Sequence, residues 1–198
     1  MKDLLKRIGI GKEAAAELDL SQEARHSFLL CQSDNYLARA FFEREHQLTE
    51  AAFLTNMRAL VNLDTSDRHS LATELTLLKS CLSTYQQVFD KELFVSLKEG
   101  ACAELLVPAL ILFPLVLNAL QQGYNSMEDR PLKIQVSKLG EGLQLTVSNR
   151  VNHYLRSQED TLMMDLFKKR LQHCYPDKHS LLCNSNSATF KATLQLLP

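Results

Sequence analysis

The 198-residue chain sets 22 Lys and Arg against 23 Asp and Glu and is 45% apolar, enough for a packed core and with no overall basic field to hold nucleic acid. Its six glycines, at positions 9, 11, 100, 123, 140 and 142, never cluster as a P-loop or a dinucleotide-binding turn requires, which excludes both phosphate cradles. Five irregularly spaced cysteines and no charged-then-apolar leader point to a reduced, cytoplasmic protein.

Residues 1–20 read as a loosely docked leader with a weak helical pattern at Leu4, Leu5 and Ile8. From Ser21, a suitable N-cap with Glu23 in the first turn, no Gly or Pro interrupts the chain as far as Leu63, which predicts one long helix. Leu37, Phe41, Leu48, Ala52 and Thr55 would form its apolar stripe. After the turn-like Asp64–Asp67, Leu71, Leu75, Leu78, Leu82, Tyr85 and Phe89 alternate by four and three, the seam of a second helix. Together they predict a helical hairpin over 21–90, with the seam offered to the rest of the chain or to a second copy.

Beyond residue 90 the period changes. Leu93, Val95 and Leu97 alternate as a short strand. The apolar run from Leu105 to Leu120 is too short to span a bilayer and predicts a buried helix, with Pro108 in its first turn, Pro114 as a kink or local break and Gly123 as its stop. Residues 132–137 and 143–148 alternate about Gly140-Glu141-Gly142, a hairpin signal. A helix over 157–174, with Leu162, Leu166, Lys169 or Arg170, and His173 at helical spacing, and strands over 180–184 and 188–196 complete the order. The fold class is α+β, with helices covering one face of a mixed sheet.

Two stretches then resemble a family. Residues 107–123, VPALILFPLVLNALQQG, resemble the N-box helix of LytS-type sensor histidine kinases, of the form P-x-L-L-L-Q-P-L-V-E-N-A-I-K-H-G. Residues 166–181, LFKKRLQHCYPDKHSL, resemble the segment after that family's glycine lid, N-V-R-x-R-L-x-x-x-Y-P-x-x-H-S-L. Phe53-Leu-Thr-Asn56 stands for the family's F-L-F-N, and residues 74–89 for its second dimerisation helix. The resemblance covers about residue 45 onward. It implies a dimerisation and phosphotransfer-like hairpin over 21–90 followed by a GHKL (Bergerat-type) ATPase-like α/β sandwich over 91–198, whose chemistry is metal-assisted phosphoryl transfer.

Against that pattern the chemical groups are altered. Ala52 stands where the family has its phosphoacceptor histidine, and the N-box Glu-Asn pair reads Leu117-Asn118. The strand end that should carry the adenine-recognising aspartate reads Ser148-Asn149-Arg150, and the Gly-x-Gly-Leu lid aligns with Thr161–Met164. The resemblance thus implies a histidine-kinase-like signalling module acting by protein–protein interaction, a homodimer with a response regulator or kinase as partner. No catalytic residue is assigned, no cofactor is expected, and Asn118 remains as a vestigial cofactor-binding residue. The alternative is a divergent active kinase binding ATP and Mg²⁺ through Asn118.

The remaining polar groups carry plainer readings. His46 and His69 are surface histidines away from the phosphoacceptor position. His173, Cys174, His179 and Cys183 lack the paired spacing of a zinc site, so no metal is expected. Lys168-Lys169-Arg170 reads as a solvated face complementing a helix C-terminus. The cysteines read as small buried hydrophobes.

Overall fold

The computed structural model describes residues 12–43, 50–89, 93–100, 104–154 and 158–197. His46, Leu48 and Cys102 of the sequence reading lie outside them.

The uninterrupted stretch expected to be one helix is helical over α1 (Lys12–Gln32), α2 (Asn35–Glu43) and α3 (Glu50–Val61), with a break at Ser33–Asp34. The start moves back into the expected leader, because Lys12–Leu20 is already helical. This break is made by Asp34, whose Oδ1 accepts the Leu37 N–H at 3.2 Å while its carbonyl accepts that of Ala38 at 3.0 Å. Aspartate satisfies the opening N–H groups of a helix better than it continues one, so the chain restarts there. Gln32 then ties the restart to α3, donating from Nε2 to the carbonyls of Leu60 at 2.9 Å and Leu63 at 2.8 Å.

A short turn follows α3, in which Asp64 Oδ1 accepts the Ser66 N–H at 3.1 Å and Asp67 Oδ2 accepts the Asp64 N–H at 2.7 Å. Strand β1 (Arg68–Ser70) leads directly into α4 (Leu71–Val88), whose N-cap Ser70 accepts the Thr73 N–H at 3.2 Å. The expected four-three stripe is the buried face of α4: Leu71, Leu75, Leu78, Leu82 and Tyr85 are all inside. They join the same cluster as Phe28, Leu37, Phe53 and Leu60, so the chain's own helices cover the seam.

The apolar run of 105–120 is not a single helix. Residues Leu106–Pro108 form β3, antiparallel to β1, and only after a turn at 109–112 does α5 (Phe113–Gln122) begin. Of the two expectations for Pro114, the local break holds and the kink does not: the proline opens the helix, at a position where its missing N–H costs nothing. Gly123 does end α5, but in extended backbone at φ −83°; glycine is needed because a Cβ would lie 2.3 Å from Asn149 Nδ2.

The sheet runs β2 (Val95–Glu99), β5 (Leu132–Leu139), β6 (Gly142–Val151), β8 (Thr189–Leu196), β7 (His179–Ser185), with β4 (Gly123–Tyr124) added to β6. The β2–β5 pair is parallel and the others antiparallel, so the sheet is mixed. The β5–β6 turn is the one expected, with Gly140 at φ +57°. Register places Ile134 beside Val147 and Val147 beside Ala192, so one face is apolar while Lys133, Gln135, Thr146 and Lys191 occupy the other. Helices α5 and α6 (Leu162–Cys174) lie against the sheet, and α1 lies along α6. The α6 face that is buried is Met164, Phe167 and Leu171; Leu162, on the other helically spaced line, is exposed. No helix among the described residues is long and apolar enough to cross a membrane.

Candidate functional site

Asn118 lies in the middle of α5 and is buried. Both ends of its amide are taken: Nδ2 donates to the Gln158 carbonyl at 2.8 Å, and Oδ1 accepts from Thr161 Oγ1 at 2.9 Å. The Thr161 hydroxyl also accepts the Met164 N–H at 3.2 Å, making Thr161 the N-cap of α6. Gln158, itself buried, pairs side chain to side chain with Asn149: Asn149 Nδ2 donates to Gln158 Oε1 at 3.0 Å, and Gln158 Nε2 donates to Asn149 Oδ1 at 3.2 Å. Asn149 Nδ2 also reaches the Arg150 carbonyl at 2.7 Å. The positions aligned with the N-box, the adenine strand and the lid therefore meet in space, as one closed network of neutral amides and a hydroxyl. Such a network rigidifies what it joins, because each buried polar group left unpaired would cost about 1–3 kcal/mol.

Ala52 lies in the first turn of α3, half-buried, and offers a methyl group where a phosphoacceptor would need a ring nitrogen. Asn56, on the same helix, is 1% exposed, and neither amide atom finds a partner among the described residues.

A second polar assembly was not anticipated from the sequence. The fully buried Glu74 accepts the N–H groups of Leu110 at 2.9 Å and Leu112 at 3.0 Å, and His69 Nε2 donates to it at 2.7 Å. From the other side Arg170, also buried, donates to the carbonyls of Ala109 and Leu110 and lies 5.3 Å from the Phe28 ring centroid. The turn held between them carries Leu110 at φ 58°, a left-handed conformation that a leucine adopts only where its surroundings impose it. A carboxylate at the opening of α5 also complements the helix dipole. Two expectations change here: His69 is a partner of a buried acid, not a free surface ring, and Arg170 leaves the solvated face that Lys168 and Lys169 occupy. Glu74 does fall on the apolar stripe of α4, three residues after Leu71 and four before Leu78, which is the sequence signal that could have marked it.

A third assembly joins α2, α4 and α5. Buried Asp34 accepts from Tyr85 Oη at 2.5 Å and from Gln121 Nε2 at 3.2 Å, and desolvation raises its pKa despite those hydrogen bonds. Cys31 and Cys81 are enclosed nearby, the Cys31 thiol pushed up to about 12 chiefly by burial, so neither is a ready nucleophile. Among the described residues no three metal-ligating side chains gather; His179 instead bonds the Tyr175 carbonyl at 2.7 Å.

No family model matches the sequence, and no curated protein matches it. Among solved structures, the chain is similar to the histidine kinase AdeS of Acinetobacter baumannii, with a TM-score of 0.48 and 9% identity over 75% of this chain and 74% of that one. It is similar to the histidine kinase domain of the blue-light activated kinase EL346 of Erythrobacter litoralis, with a TM-score of 0.46 and 14% identity over 81% and 92%. It is likewise similar to the catalytic domain of the histidine kinase ThkA, with a TM-score of 0.48 and 13% identity over 66% and 94%. At these values no residue role passes from those proteins to this one.

Proposed function

We propose that this chain is a histidine-kinase-like signalling module that has lost nucleotide and phosphotransfer chemistry and acts by binding other proteins. The observation that carries the reading is the state of Asn118. At the position where the N-box resemblance calls for an Mg²⁺ ligand, the amide is spent on Gln158 and Thr161, and no carboxylate stands beside it. A hard dication prefers several oxygen ligands, carboxylates above all, and Leu117 supplies none. Met164 at the lid position is fully buried, a side chain packed where backbone amides would have to approach phosphates. Ala52 adds the missing acceptor. The same reading includes a homodimer and a response regulator or kinase as partner; these rest on the sequence resemblance, since the α4 seam is used within the chain.

Titration with Mg²⁺-ATP, followed by thermal shift and calorimetry, tests the proposal. A ligand at a hundred times its Kd stabilises a folded protein by about 2.7 kcal/mol, a shift of several degrees. The expected result is no saturable shift and no turnover. A saturable rise with ATP hydrolysis, lost in Asn118→Ala, would establish the divergent active kinase instead.

A further inference from the structure

At the other end of α6 from Asn118 lies a cavity of about 310 Å³ between the middle of α1, the α3–β1 turn and the last turn of α6. Thirteen residues of helix at 1.5 Å each put it roughly 20 Å from Thr161, outside every position aligned with the nucleotide boxes. Its wall carries Arg25, Arg170 and His173, the hydroxyls of Ser21, Thr65 and Ser66, the Phe28 ring, and no carboxylate. Arg170 is committed to the carbonyls of Ala109 and Leu110, so it contributes charge rather than free donors. The Thr65 and Ser66 hydroxyls donate to Asp64 beside the cavity, at 3.3 and 3.0 Å; the Ser66 N–H first, then these hydroxyls, and least of all the field of Arg25, hold the Asp64 carboxyl below its usual range. The side chains of Arg25, His173 and Ser21, by contrast, make no hydrogen bond or ion pair among the described residues. A guanidinium, an imidazole and a hydroxyl thus converge from two helices on one concavity with their donors unused.

We propose that this cavity binds a small phosphomonoester. The dianion would sit between Arg25 and His173, with Ser21 as a third donor and the Arg170 charge behind it. Charge-assisted hydrogen bonds to a guanidinium are strong and favour the planar oxygen pairs of a phosphate. The volume exceeds that of a phosphate group, and Phe28 and Ala24 offer the remainder an apolar wall, which suits a compact organic ester better than the bare ion.

The test is calorimetric titration of the full chain with phenyl phosphate and with inorganic phosphate, ionic strength held constant with KCl. The expected result is saturable binding, tighter for phenyl phosphate, and weakened about tenfold by Arg25→Gln and by His173→Gln, the loss of one charge-assisted bond each. Both side chains are exposed, so the variants keep the fold, and Lys138→Gln on the far sheet strand should bind as the parent does. Absence of saturation above the KCl background, or an unchanged constant in Arg25→Gln, overturns the site. ATP binding through Asn118 would be insensitive to either substitution.

Discussion

At the scale of single residues, charged groups inside the protein carry the most weight. Arg170 and Glu74 never meet, yet they grip the same turn, one by its carbonyls and the other by its N–H groups. Replacing Arg170 by Met keeps the stem's packing but orphans two buried carbonyls. The expected loss is on the order of 3 kcal/mol, read from the urea midpoint; a loss under about 1 kcal/mol would mean the turn holds itself. Asp34 makes a pH-dependent case. Its folded-state pKa is raised, chiefly by desolvation, so between the ordinary carboxyl value of 3.8 and the folded value the native state keeps a proton that the unfolded state has released. Stability from this group is therefore present at low pH and lost as pH rises through that window. Asp34→Asn removes the loss, and its stability relative to the parent should climb with pH above 3.8 and then level off. A relative stability that falls over the same range would contradict the assignment.

At the scale of elements, the α4 seam shows what a periodic pattern does and does not decide. The four-three repeat from Leu71 to Tyr85 is buried as its spacing demands, because residues three and four apart lie on one helix face. The pattern cannot name what covers that face, and here it is α2, α3 and the turns around β1 and β3. Leu78→Ala should accordingly cost about 2–5 kcal/mol with a denaturation midpoint independent of protein concentration. A midpoint that rises with concentration would place a second copy on the seam. Elsewhere periodicity misled for a clear reason. Residues 107–117 are apolar throughout because the strand end, turn and helix are all interior there, and a segment buried on every side carries no alternation to tell one from another. On α6 both the Leu162–Leu166 line and the Met164–Phe167–Leu171 line have helical spacing, and packing against α1 and the sheet chose the second.

At the scale of the whole molecule, the absence of a nucleotide-dependent shift and the presence of a phosphomonoester-dependent one are separate expectations, because their residues lie at opposite ends of α6. The sheet and its helices follow from the sequence: alternation sets β5, β6 and β8, the glycines at 140 and 142 set their turn, and one apolar sheet face requires a helical layer over it. Chain-local chemistry also placed alanine at 52 and left no glycines for a lid. Tertiary structure alone decided that Asn118, Asn149, Gln158 and Thr161 close on one another, that Glu74 and Arg170 share a turn, and that Arg25 faces His173 across a cavity. Local periodicity is a property of neighbours within a few residues, whereas the hydrogen bonds in these assemblies join positions as far as 61 apart, and only the folded backbone brings such groups together.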